Sequence, residues 1–117
     1  MPLSLREGIR MQMKINEVEF EFDIHDVDQA EAFEKAVDQL SESEQKVKEA
    51  TASHKMSEVN RAFIDMFKKF FIAATGADVL KDCKNSIVAT DAYYAFCEEI
   101  GKEKGRLISK YDAKRVR

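Results

Sequence analysis

Apolar and polar residues alternate from Ile9 to Ile15, and alternate again from Val18 to Ile24 one phase later. Strict alternation marks a strand, because successive side chains point to opposite faces. A two-residue turn at Asn16-Glu17 accounts for the slip, since it folds one strand back onto the other. It sets Ile15 opposite Val18, Met13 opposite Phe20, Met11 opposite Phe22 and Ile9 opposite Ile24. The polar face matches too: Lys14 meets Glu19 and Arg10 meets Asp23. Asn16 tolerates the positive φ of such a turn, and Glu17 is less suited to it than glycine. The pattern predicts a β-hairpin over residues 9–24. A lone hairpin is marginal in water, so its apolar face must lie on the helices or on the same hairpin of another subunit.

The period then changes from two to between three and four. Ala30, Phe33, Val37, Leu40 and Val47 form a narrow seam, interrupted by Glu44, on a helix predicted over 27–51. Asp26 or Asp28 can cap it. Continuing that spacing gives Thr51, His54 and Glu58, which cannot be core. A new register starts with Met56, Val59, Phe63, Met66 or Phe67, Phe70 and Ala74. A turn near 52–57 with Ser57 as N-cap explains the break, and one bent helix is the alternative. The second helix, over 57–75, carries Phe63, Phe67, Phe70 and Phe71 as the expected centre of the core, with Gly76 as its C-cap. A connection with one helical turn leads to a third helix over 91–111. Its face is Tyr93, Phe96, Cys97, Ile100, Leu107, Ile108 and Tyr111. Gly101 and Gly105 lie one turn apart in it, which suggests close approach of another backbone or a bend. The fold class is mainly α with an N-terminal hairpin (α+β), the hairpin packed on a three-helix bundle, and the protein oligomeric.

The length of 117 residues suits a single domain over 1–117, ending in a basic tail at 112–117. No apolar run is long enough to span a membrane, and the first ten residues lack the apolar core of a signal peptide. Two cysteines, Cys83 and Cys97, make no disulfide framework and read as reduced thiols, so a cytoplasmic location is expected. Charge is polarised along the chain. Residues 17–44 hold eleven acidic side chains and one basic, whereas residues 102–117 hold seven basic and two acidic. The two ends can neutralise each other within the fold or between subunits, or serve separate partners.

Chemistry is hard to find. His25 sits at a strand end and His54 in a turn. Cys83 and Cys97 are too far apart, without a nearby histidine, for a zinc site. No glycine-rich phosphate loop occurs, and the carboxylates fall on solvent-facing surfaces. The reading is therefore of a non-enzymatic protein with no catalytic, cofactor-binding or metal-binding residues. The basic C-terminus lacks aromatic interleaving, which disfavours nucleic acid. What remains is protein–protein interaction, with Met11, Met13, Phe20, Phe22, Ile24, Phe33, Leu40 and Val47 as the candidate interface.

The order of "KINEVEFEFD", "DVDQAEAFEKAVDQL" and "RAFIDMFKKFFIAATGADVLKDCKNSIVATDAYYAFCEEI" resembles small prophage proteins of Gram-positive bacteria encoded in tail-gene regions. The likeness covers about residues 13–108 and includes no catalytic motif; "NE" replaces the commoner "NG" in the turn. Some such proteins look like tail assembly chaperones. The resemblance implies an oligomeric helical protein that binds the tape-measure protein and keeps it soluble while the tail tube forms. The alternative is a small dimeric phage regulatory or nucleic-acid-associated protein using the basic C-terminus.

Overall fold

The computed structural model describes residues 11–115. Two strands, β1 (Met11–Ile15) and β2 (Val18–Phe22), are followed by three helices: α1 (Val27–Ala52), α2 (Met56–Thr75) and α3 (Ser86–Arg115). The strands pair antiparallel in the expected register, from Ile15 opposite Val18 to Met11 opposite Phe22. Asn16 and Glu17 both take positive φ, 53° and 65°. That is the mirror-image turn whose twist matches a hairpin. The predicted pairs Arg10–Asp23 and Ile9–Ile24 involve residues outside those described.

Asp26 caps α1, its carboxylate accepting from the Gln29 N–H at 3.1 Å. The break after Ala52 separates α1 from α2, so the two are distinct helices. The N-cap of α2 is Lys55 rather than Ser57, and it makes no side-chain capping bond. Ser53 accounts for the earlier start: its hydroxyl donates to the Ala50 carbonyl at 2.6 Å and accepts from the Lys55 N–H at 3.3 Å, closing the turn within three residues. Gly76 ends α2 in the left-handed region at φ 77°, its N–H donating to the Ile72 carbonyl.

The third helix begins at Ser86, five residues before the predicted 91, and runs beyond Tyr111 to Arg115. Asn85 starts it, its side-chain oxygen accepting from the N–H groups of Ile87 (2.9 Å) and Val88 (3.2 Å). Ser86 Oγ also donates to Asn60 Oδ1 at 2.8 Å, tying this end to α2. Gly101 and Gly105 leave α3 unbroken, and nothing lies within 4 Å of a side chain added at either. Of the two readings of these glycines, close approach of another backbone or a bend, the close approach is absent within the described chain.

The centre of the core is Phe96 of α3, which is fully buried. Its ring lies 5.3 Å from Phe22, 5.4 Å from Phe71, 5.9 Å from Phe70 and from Phe33, and 6.2 Å from Phe20. Strand, α1, α2 and α3 therefore meet on one side chain. Phe67, Phe70 and Phe71 are buried as expected, whereas Phe63 is only half-buried and stacks on Phe67 at 6.4 Å. The hairpin thus sits on Phe96 and Phe33. Val79 and Leu80, in the α2–α3 connection, are also fully buried. The molecule is elongated, 58 × 28 × 21 Å, with a radius of gyration of 16.8 Å. A compact chain of this length would have about 13 Å.

Candidate functional site

The core-facing row of α3 runs through Ala89, Ala92, Phe96 and Ile100, all buried. At helical spacing it continues to Leu107 and Tyr111, with Ile108 beside them. These three are 56%, 61% and 58% exposed. The apolar face of α3 therefore outlasts the part of the fold that covers it. Across from it lie the corner between β2 and α1 and the first turns of α1. Ile24, His25, Ala30, Phe33 and Glu34 form one side of a groove of about 590 Å³, and Lys104, Leu107 and Ile108 form the other. Its apolar lining is Ile24, Ala30, Phe33, Leu107 and Ile108, and its charged lining is Glu34 and Lys104.

A polar chain closes one flank. His25 Nε2 lies 3.4 Å from Glu103 Oε1, and Arg106 donates to Glu103 Oε2 at 2.7 Å. Burial pushes the Glu103 carboxyl up, but the bonds from Arg106 and His25 outweigh it and hold the group below its ordinary range. Asp23 shapes the corner: its backbone N–H donates to the Gln29 side chain at 2.9 Å, and its carboxylate accepts from the His25 N–H at 2.9 Å. The chain leaves β2 and enters α1 through these bonds, which fixes Ile24 beside the groove.

Among the described residues, Tyr93 and Cys97 also titrate away from their ordinary values. Tyr93 is pushed up to about 12, first by burial and then by its hydrogen bond with Cys97 and the nearby Cys97, Tyr94 and Glu44 groups. Burial raises the Cys97 thiol, with the Tyr93 bond pulling the other way, so it is protonated and weakly nucleophilic. Among the described residues no group of three or more His, Cys, Asp or Glu side chains is placed to hold a metal ion. No described helix is long and apolar enough to cross a membrane.

Of the candidate interface residues, Ile24 and Phe33 line this groove. Met13 and Phe22 do not offer surface; they are 7% and 1% exposed, because the apolar face of the hairpin is turned onto Phe96. Phe20, Leu40 and Val47 are half-buried against the same core. Met11 pairs with Phe22 across the ladder. Leu107 and Ile108 were visible in the sequence as helix-face residues, but nothing there separates an uncovered part of the face from a covered one. The signal that could have done so is length: the apolar face of α3 is longer than the hairpin and the start of α1 can cover.

The fold and groove define a small, elongated helical protein with a docked hairpin and an apolar cleft. The chain belongs to a family of unknown function, DUF6673, whose sequence model matches residues 16–117. Searches of curated proteins and of solved structures gave no match.

Proposed function

We propose that this chain is a non-enzymatic assembly protein that holds a helical segment of a partner protein in the groove between α1 and α3. The observation that supports the reading is the groove itself. It has the mixed lining that helix-in-groove recognition uses, an apolar floor of Ile24, Ala30, Phe33, Leu107 and Ile108 beside the charges of Glu34 and Lys104. The resemblance of the sequence to tail assembly chaperones supplies a setting: a prophage tail protein whose client is the tape-measure protein. Such a client is long and helical, and its apolar seams need cover until the tube encloses them. The nucleic-acid alternative has less support, because Lys102 is held by Glu98 and Glu99 and Arg106 by Glu103, which neutralises part of the basic end.

The test is co-expression with overlapping fragments of the tape-measure protein from the genome that carries this chain. A soluble complex is expected, and Ala30→Arg, which fills the groove from a half-buried helix position, should abolish it. Fragments that aggregate equally with and without the chain would sink the reading.

A further inference from the structure

In the isolated protein, we propose, the groove is filled by the end of α3 from a second copy, in a two-fold arrangement where each copy fills the other. The inference concerns the chain alone and does not depend on a client.

Three observations carry it. First, the ridge and the groove are on one molecule. Leu107 and Ile108, each more than half exposed, are one wall of the groove and at the same time the crest of α3, with Tyr111 a turn further on; the facing wall is Ile24, Ala30 and Phe33. An isologous contact needs such a self-complementary pair of surfaces. Second, the ridge continues a core row. Ala89, Ala92, Phe96 and Ile100 are each at most 6% exposed, and the same face then runs on uncovered. Beyond Lys104 the helix continues to Arg115, about three turns, which suits the span of a short docked helix. Third, the charges are complementary between copies. The first half of α1 carries Asp28, Glu31, Glu34 and Asp38 against a single lysine, Lys35. On the end of α3, Lys104 lines the groove beside Leu107 and Ile108, with Lys110 further along the helix, whereas Arg106 is already held by Glu103 of its own chain. Two copies related by a two-fold axis can set Glu34 of one groove against Lys104 of the other, twice. Parallel stacking of like ends would bring basic against basic.

The groove lining sets the pairing to be tested: Glu34 of one copy with Lys104 of the other. Sedimentation velocity of the full chain across a concentration series should show a dimer. Leu107→Glu combined with Ile108→Glu should weaken it by about tenfold or more while leaving the helical circular dichroism intact, since both side chains are exposed. Glu34→Lys and Lys104→Glu should each weaken the dimer, because each places like charges across both contacts. An equimolar mixture of these two variants should recover it: in the heterodimer both contacts are again between opposite charges. A pairing within one chain could not be restored by mixing. A monomer at every concentration, a dimer indifferent to the Leu107 and Ile108 changes, or a mixture no more associated than its components would each overturn the proposal. Because no client is present, these results are read separately from the tape-measure experiment.

Discussion

Asn16, in the turn of the hairpin, donates through Nδ2 to the carbonyl oxygen of Val79 at 3.1 Å, joining positions 63 residues apart. The same side chain that tolerates the positive φ of the turn thereby pins the hairpin tip to the α2–α3 connection. Val79 and Leu80 are fully buried there, so the bond fastens the hairpin to a fixed point of the core.

Asn16→Ala removes both roles. The left-handed backbone becomes harder to hold and the Val79 carbonyl loses a partner, so the change should cost about 1–2 kcal/mol in urea unfolding. Glu17→Gly should act in the opposite direction. Glu17 holds φ 65° without a glycine's freedom, and relieving it should add about 0.5–1 kcal/mol, net of the extra entropy of the unfolded chain. A loss of stability in Glu17→Gly would contradict the turn geometry.

Phe96→Ala should be the most damaging single core change, at about 3–5 kcal/mol, because it empties the point where β2 and all three helices meet. Phe63→Ala lies at the half-buried end of the aromatic row and should cost clearly less. Denaturant midpoints of the two variants, compared directly, check this; equal losses would place the core centre on α2 instead.

The hairpin was legible because its determinants are local: a period of two, one phase slip and a turn residue. The start of α3 was not. Ile87 and Val88 point outward, 66% and 41% exposed, so the first turn has no apolar row to announce it. Only the Asn85 cap marked it, and an asparagine between two polar connections reads equally well as a turn. Val79 and Leu80 fall in a connection in the sequence pattern because two adjacent apolar residues have no periodicity; their burial is set by the tertiary fold. The groove was half legible. Ile24 and Phe33 came from the alternation and from the seam. Their meeting with Leu107 and Ile108, more than seventy residues away, is a product of packing that neither segment encodes alone.

The α2 N-terminus offers a stabilising change. Lys55 holds an extended N-cap conformation, φ −103° and ψ 112°, without a capping side chain. Glu58 already sits three residues later, at the position where a capping box places its glutamate. Lys55→Ser should therefore raise stability by about 1 kcal/mol. Ser57→Ala, at the position where the sequence alone suggests the cap, should be close to neutral. Thermal melts of both variants decide the matter, and a destabilised Ser57→Ala would move the cap back to Ser57.

Acid should loosen the flank of the groove through Glu103. Its carboxyl titrates below the ordinary 4.5 in the folded chain, burial being outweighed by the Arg106 and His25 bonds. In the unfolded chain those bonds are gone and the carboxyl returns to its ordinary value. As pH falls through that value, the unfolded state takes up the proton first, so folding loses stability. The contribution is whole above about pH 4.5, declines below it, and is exhausted once the folded carboxyl is also protonated. Arg106 is 64% exposed, so the effect should be modest and should shrink with added salt. Glu103→Gln removes the titrating group. Its urea midpoint should lie below wild type at neutral pH, and the two should converge as pH falls through the acid limb. Midpoints that keep a constant separation from neutral pH to pH 3 would show that the Glu103 charge is not part of what holds α3 against the corner of the hairpin.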